Sequence, residues 1–134
     1  LDITRTVVDM KAEIEKIREQ IQNLEEAREM IGMLSGRVHQ VYTGVCVILK
    51  GEDGNDCSRV FFDKTDVEVY PLTEEEIFQY AMSEEPMDKA GAYGVQGLGA
   101  LLVERLDGDF FNVMGLPVLR LSRMLERFGV HFFC

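Results

Sequence analysis

The chain has 134 residues, of which 46% are hydrophobic and 28% charged, and its formal net charge is −10. This length and composition predict one soluble globular domain with a core of its own. The acidic balance excludes a general nucleic-acid binder, which needs a basic surface to displace counterions, and no apolar run approaches the ~20 residues of a membrane span.

The cysteines indicate a reducing compartment. Cys46, Cys57 and Cys134 have neither an even number nor the spacing of a zinc site. We expect reduced thiols, as is usual in the cytoplasm. The sequence therefore predicts a cytoplasmic protein with no membrane partner and no nucleic-acid partner.

Residues 1–34 combine a short predicted strand with a long helical pattern. Residues 3–8 are rich in β-branched side chains and predict a strand. Apolar side chains then recur at alternating steps of four and three, the heptad pattern of a coiled-coil seam, with Arg28 interrupting it. The seam contains Met10, Ile14, Ile17, Ile21, Leu24 and Ile31. Two interpretations stay open: the seam packs on the protein's own sheet, or it joins two copies in a homodimer.

Residues 35–134 alternate between strand and helix signals. Gly36 ends the first helix, and residues 38–49 and 58–72 predict an antiparallel hairpin around a polar, glycine-containing turn. Thr73 and Glu76 form a capping-box pattern that starts a second helix. The segment ALLVERL, residues 100–106, predicts a further strand, DGDF predicts a turn, and Pro117 suits the first position of a final helix. The order predicts an α/β fold with a mixed β-sheet and flanking helices.

The segment DKAGAYGVQGLGA, residues 88–100, carries the strongest chemical signal. Its glycines allow a backbone to approach a ligand closely and to direct N–H groups at an anion. Lys89 would offer a positive charge to phosphate oxygens, and Asp88 could orient it or bind a metal. Gln96 has the donors and acceptor that match a nucleobase edge. An ordinary glycine-rich loop with a surface ion pair explains these residues equally well.

Two longer stretches closely resemble the Maf family of nucleotide pyrophosphatases. They are LSGRVHQVYTGV, residues 34–45, and EEPMDKAGAYGVQGLGALLVERLDGDFFNVMGLP, residues 84–117, followed by the last helix. The resemblance implies an inosine-triphosphate-pyrophosphatase-like α/β fold. It also implies hydrolysis of a nucleoside triphosphate to a monophosphate and pyrophosphate with Mg²⁺ or Mn²⁺, in homodimers that remove unwanted nucleotides. The tripeptide VQG, residues 95–97, is similar to the family branch that acts on dTTP and UTP.

The resemblance also implies roles for individual residues. Lys89 would face the phosphates as a catalytic residue, and Asp88 would be both catalytic and a metal ligand. Gln96 would bind the base, and Gly91 and Gly94 would keep the loop open. Arg37 and Thr43 match positions of the family motif and are expected to shape the cleft. Thr6 is in step with the family's Ala-Asp-Thr, and Thr6 and Arg37 are expected on the substrate side.

The first third of the sequence departs from the family pattern. The family's Ser-x-Ser-Pro-Arg-Arg phosphate loop is not found, and the stretch TRTVV, residues 4–8, has Arg5 where the family has a catalytic aspartate. An arginine can neither deprotonate water nor bind a cation. We therefore divide the chain into an atypical segment, 1–34, and a Maf-like α/β domain, 35–134. The alternative to an active enzyme is a catalytically impaired nucleotide-binding or purely structural homodimer assembled through the helix at 10–31.

Overall fold

The computed structural model describes residues 3–83 and 93–133, with side chains from residue 9 onward. The chain forms two compact units. The first combines Leu1–Gly36 with Pro71–Leu102, and the second combines Arg37–Tyr70 with Val103–Cys134. The first unit thus takes in more of the chain than the segment 1–34. The α/β class is confirmed, since helices and a β-sheet are both present.

The first unit begins with helix α1, Ile3–Leu34. The predicted strand at residues 3–8 is therefore wrong, because these residues form the first turns of α1. β-branched residues lose only a few tenths of a kcal/mol each in a helix, and a helix that is already nucleated gains one hydrogen bond for each residue added. A strand gains no stability until it pairs with another strand. Extension of the helix from the strong helix formers after residue 9 is therefore favoured.

Helix α2, Glu74–Met82, packs against the carboxy-terminal part of α1. Ala27 and Ile31 of α1 are buried, as are Ile77, Tyr80 and Ala81 of α2. The predicted capping box is confirmed: the Thr73 hydroxyl accepts a hydrogen bond from the Glu76 amide at 3.1 Å, and the Glu76 carboxylate accepts one from the Thr73 amide at 3.0 Å. The hydrogen bond from the Thr73 amide to the carboxylate, with a smaller contribution from the Thr73 side chain, lowers the pKa of Glu76, because it favours the ionised form.

Replacing Thr73 with alanine is expected to lower the free energy of unfolding by about 1 kcal/mol, because the Glu76 amide loses its acceptor at the start of α2. Thr73→Ser is the matched control, since it keeps the hydroxyl and should retain most of the stability. Urea unfolding followed by circular dichroism measures both variants. Equal stability of the alanine and serine variants would contradict the capping role.

The second unit contains a three-stranded antiparallel sheet in the order β1-β2-β3. Strand β1, Val38–Leu49, pairs with β2, Cys57–Val69, in a register that runs from Val38 opposite Glu68 to Leu49 opposite Cys57. The predicted hairpin is confirmed. Strand β3, Val103–Asp107, pairs with the end of β2 and is shorter than predicted, because Gly97–Leu101 forms a 3₁₀ turn instead of a strand.

Two short helices complete the second unit. Helix α3, Phe110–Met114, begins where the sequence predicted only a turn, and the Asp109 carboxylate caps it by accepting a hydrogen bond from the Phe111 amide at 2.8 Å. Helix α4, Val118–Glu126, follows Pro117, which lies at the N-cap, one position before the predicted one. Across residues 3–83 and 93–133, none of the helices has the length and apolar character that a membrane crossing requires.

Candidate functional site

The structure describes the glycine-rich segment from Tyr93 onward, within the first unit. Val95 is buried, whereas Gln96 is exposed and has extended backbone angles (φ −104°, ψ 166°) just before the 3₁₀ turn. Neighbouring side chains on extended backbone point in opposite directions, so the burial of Val95 directs Gln96 outward. A carboxamide has the donors and the acceptor that a planar, hydrogen-bonding ligand requires.

Two glycines give this loop its shape. Gly97 has φ +63°, a left-handed conformation that glycine adopts at little cost. Gly99 is buried, and a Cβ atom there would overlap the carbonyl oxygen of Gly94 and lie 3.2 Å from the Tyr80 hydroxyl. Gly99 is therefore required for close packing of the loop on itself and on α2, which is a structural explanation for part of the glycine signal.

Tyr93 and Tyr80 fix the start of the same loop. Tyr80 is buried in α2, and Tyr93 is half-buried. Burial, with a smaller contribution from Tyr80, raises the pKa of Tyr93 to about 12. At neutral pH the Tyr93 phenol is therefore protonated and adds no charge to the loop.

Because the pKa of Tyr93 is raised, the free energy of unfolding changes with pH in the alkaline range. The folded state holds the phenol proton more tightly than the unfolded state, whose pKa is near 10. This contribution is complete below pH 10 and is lost as the pH rises toward about 12. We expect stability from urea unfolding to fall more steeply between neutral pH and about pH 11 in the wild type than in Tyr93→Phe. Identical slopes would contradict the burial of this phenol.

The other predicted site residues are in other elements or outside the described residues. Arg37 is exposed at the entrance to β1, and its carbonyl accepts a hydrogen bond from the Val69 amide at 3.0 Å. Thr6 lies in the first turns of α1. Asp88, Lys89 and Gly91 are outside the described residues. Of the predicted residues that the structure describes in the first unit, Gly94 and Gln96 lie two residues apart in one loop.

A buried polar network in the second unit was missed by the sequence analysis. Asn112 of α3 is fully buried, and its amide nitrogen donates to the Thr65 hydroxyl at 2.9 Å and to the Val41 carbonyl at 3.2 Å. Thr65, also fully buried, donates onward to the Asp109 carbonyl at 3.1 Å. Thr43 donates to the Asn112 carbonyl at 3.2 Å. This last bond gives Thr43 a structural function that ties β1 to α3.

The network explains the DGDF turn. Gly108 has φ +132°, and a Cβ atom there would lie 2.9 Å from the Thr65 hydroxyl and 3.0 Å from its Cα atom. A glycine is therefore needed both for backbone conformation and for space. In the sequence, Asn112 lies in the stretch FFNVMGLP, residues 110–117, which is part of the resemblance to the Maf family.

An open groove of ≈680 Å³ also lies in the second unit, beside α3 and α4. Its basic residues are Arg120 and Arg123. The Arg120 guanidinium donates to the Phe62 carbonyl and stacks 5.1 Å from the centre of the Phe61 ring, and Arg123 pairs with Glu126 at 2.9 Å. Arg120 therefore connects α4 to β2, whereas Arg123 is paired within α4 itself.

The described carboxylates, histidines and cysteines do not form a metal site. Among residues 3–83 and 93–133, no three of these side chains lie close enough together to hold a metal ion. Asp88, the predicted metal ligand, is outside these ranges.

Comparison with known proteins shows which family this chain matches. A family model described as Maf-like protein matches residues 5–128 and thus reaches far into the segment 1–34. A dTTP/UTP pyrophosphatase of Lachnoclostridium phytofermentans is 50% identical over 108 residues, which are 81% of this chain and 55% of that protein. Proteins of the same name from Bacillus anthracis and Bacillus cereus are 47% identical over 81% of this chain and 54% of their own length. The chain spans about half the length of these curated relatives.

Proposed function

Because this chain belongs to the Maf family, we propose that it serves in the hydrolysis of nucleoside triphosphates to monophosphates and pyrophosphate, with dTTP and UTP preferred. The observation that carries this proposal is the loop at residues 93–101, in which Gln96 is held outward at a fixed position. The relatives are named dTTP/UTP pyrophosphatases, and this name supports the choice of substrates.

Gln96 is proposed to bind the base. Thymine and uracil share one edge with an N–H donor between two carbonyl acceptors, and a carboxamide can both donate to and accept from that edge. The anchoring of Val95 and Gly99 supports this role, because a base can be recognised only if the amide keeps its orientation. Gly91 and Gly94 are proposed to allow the nucleotide to approach the backbone closely.

Lys89 and Asp88 are proposed to act at the phosphates. The ammonium group of Lys89 would neutralise charge on the polyphosphate as the anhydride bond breaks. The carboxylate of Asp88 would position the attacking water and accept its proton. Arg37 and Thr6 are proposed to line the substrate side of the cleft. These assignments rest on the family resemblance.

A divalent cation, Mg²⁺ or Mn²⁺, is the proposed cofactor. When bound it would neutralise phosphate charge and polarise the phosphorus atom. The described residues do not themselves provide a three-ligand site. Asp88 is therefore the one ligand proposed.

We further propose a cytoplasmic homodimer that does not bind nucleic acid and that removes unwanted nucleotides. The net charge of −10 supports the exclusion of nucleic acid, since a phosphate backbone would be repelled. A small triphosphate avoids this repulsion when a metal and Lys89 neutralise it locally.

Arg5 favours a second candidate function. It occupies the family's aspartate position, where it can supply neither a base nor a metal ligand. The second candidate is accordingly a nucleotide-binding or purely structural homodimer with impaired catalysis.

A pyrophosphate-release assay on the 134-residue chain separates these functions. With Mg²⁺ or Mn²⁺ present, release from dTTP and UTP should exceed release from ATP and GTP by at least about tenfold. Calorimetric binding of dTTP without pyrophosphate release would replace the enzyme with the second candidate. If dTTP neither binds nor is hydrolysed, both nucleotide proposals are wrong.

A further inference from the structure

The outer edge of β1 lacks the features that usually protect an edge strand. β1 lies at one edge of the three-stranded sheet, and among residues 3–83 and 93–133 it pairs with β2 alone. Its 12 residues include no Asp, Glu, Lys, Arg or Pro, and they pair with β2 in one continuous register. Charged side chains, proline and bulges are the features that keep edge strands from pairing with other chains. β1 therefore presents a long edge to which a further strand can add.

The opposite edge of the same sheet has these protective features. β3 has five residues, and three of them are charged: Glu104, Arg105 and Asp107. Its pairing with β2 is also interrupted by an irregularity between Glu68 and Val69. A short, charged and irregular strand disfavours further pairing. The two edges of one sheet thus differ, and the difference indicates β1 as the surface for a partner.

The hydrogen-bond pattern identifies the backbone groups of β1 that face outward. In an antiparallel pair, alternate residues direct both their N–H and C=O groups at the partner strand, and the residues between them direct these groups away. The Val69 amide donates to the Arg37 carbonyl at 3.0 Å, so Arg37 and every second residue after it bond to β2. The outward residues are therefore Val38, Gln40, Tyr42, Gly44, Cys46 and Ile48. Donors and acceptors at this spacing are complementary to another extended segment of polypeptide.

The side chains beside this edge determine which kind of strand fits. On the exposed face of the sheet, Tyr42, Phe62 and Val60 are 62%, 63% and 74% exposed, and the centres of the Tyr42 and Phe62 rings are 6.1 Å apart. On the other face, Val41 and Val45 are half-buried. A strand that adds here would contact apolar side chains on both of its faces. The sequence expected for it is a near-continuous apolar run without charge.

The curated relatives have a length of polypeptide from which such a strand can come. The match to the Lachnoclostridium phytofermentans protein covers 108 residues, which are 55% of that protein. Nearly half of the relative therefore lies outside the match. Within a folded domain, a long uncharged sheet edge is normally paired or covered by other parts of the domain. The unmatched part of the relatives is accordingly the occupant that we assign to this edge.

We propose that the outer edge of β1 binds an extended, uncharged segment of the polypeptide that the relatives carry outside the matched stretch. The added strand bonds the outward amides and carbonyls of Tyr42, Gly44 and Cys46 by β-augmentation. Its apolar side chains cover Tyr42 and its neighbour Phe62 on the exposed face. This surface is formed by β1 and β2 alone, so its test is independent of the proposed catalytic function.

Amide hydrogen exchange of the isotope-labelled 134-residue chain tests the edge and its occupant. The probes are overlapping peptides of the length of β1 that together span the part of the Lachnoclostridium phytofermentans protein outside the match. In the chain alone, the outward amides of Tyr42, Gly44 and Cys46 should exchange rapidly, and the inward amides of Thr43 and Val45 slowly. One peptide, or two that overlap, should slow exchange of the outward amides at least about tenfold and leave the inward ones nearly unchanged.

Gly44→Pro tests the backbone contact at one position. Gly44 directs its N–H outward, so proline removes a donor to the added strand and no bond to β2. A Cβ atom at this position has no neighbouring atom within 4 Å, so a side chain has space there. The dissociation constant of the bound peptide should rise about tenfold. Gly44→Ala is the matched control, because it keeps the N–H and should leave the dissociation constant within about twofold. Circular dichroism checks that both variants retain the fold.

Three results would overturn the proposal. The first is slow exchange of the outward amides in the chain alone, and protection that grows with protein concentration would assign the edge to a second copy. The second is a set of peptides of which none protects the outward amides. The third is equal weakening of peptide binding by Gly44→Pro and Gly44→Ala. The exchange pattern of the wild type requires no variant, so it decides the question even if Gly44→Pro does not fold.

Discussion

Replacing Asn112 with alanine is expected to lower the free energy of unfolding by about 2–4 kcal/mol. The Asn112 amide is fully buried, and its loss leaves the Val41 carbonyl without this donor and a cavity between α3 and the sheet. The amide nitrogen also faces the Thr65 hydroxyl, so one substitution breaks two hydrogen bonds. Urea unfolding followed by circular dichroism measures the change.

Asn112→Asp distinguishes loss of the hydrogen bonds from loss of volume. The aspartate has nearly the same shape but would place a charged oxygen against the Val41 carbonyl, so at neutral pH it should be more destabilising than alanine. Acidification protonates the carboxyl and should recover part of the stability. Asn55→Ala is the matched control, because Asn55 is exposed in the β1–β2 turn and should change stability by less than about 0.5 kcal/mol. If Asn112→Ala costs no more than Asn55→Ala, the network does not stabilise the fold.

A double-mutant cycle measures the coupling within this network. Thr65→Val removes the hydroxyl that accepts the hydrogen bond from the Asn112 amide, and it nearly preserves the shape of the side chain. Because the two side chains share a bond, the effects of Thr65→Val and Asn112→Ala should not add, with an interaction energy of about 1 kcal/mol. Strict additivity would mean that the two residues act independently.

The elements predicted correctly are those whose signals are local. The β1–β2 hairpin follows from two β-rich runs around a glycine-containing turn, and the start of α2 follows from Thr73 and Glu76, three residues apart. The start of α1 was mispredicted because β-branched residues prefer strands only where a pairing strand is available. Propensity was overridden there by the cooperativity of a long helix.

The network around Asn112 could not be predicted from local signals. An asparagine after two phenylalanines has no distinctive pattern, and its burial depends on the packing of α3 over β1 and β2. Likewise, the requirement for glycine at position 99 comes from the approach of the Gly94 carbonyl, which no spacing rule gives. Tertiary packing determines both.

The candidate site was predictable only in part for a similar reason. The composition of residues 88–100 predicts a ligand-binding loop, and the structure describes this loop from Tyr93 onward, with Val95 buried and Gln96 exposed. The specific chemistry assigned to Lys89 and Asp88 came from the family resemblance, because one lysine and one aspartate occur together in many surface loops. Their roles remain predictions.

Under the proposed function, replacing Lys89 with alanine is expected to reduce pyrophosphate release from dTTP by about 10²–10³-fold. The reason is electrostatic: charge that develops on the phosphates would lose its neighbouring cation in the transition state. The loss should appear mainly in kcat, since a cation that acts on developing charge contributes little to ground-state binding. Lys50→Ala is the matched control, because Lys50 pairs with Asp56 in the exposed β1–β2 turn and should leave turnover unchanged.

Gln96→Ala should produce a different kinetic pattern. If Gln96 binds the base, its loss should lower kcat/KM for dTTP and UTP by about 10–100-fold, while the low activity on ATP and GTP changes little. Preference among bases would then be lost without the large fall in kcat expected for Lys89→Ala. Equal losses on all four nucleotides would assign Gln96 to the phosphates or to the stability of the loop, and a Lys89→Ala variant as active as Lys50→Ala would remove the phosphate role from Lys89.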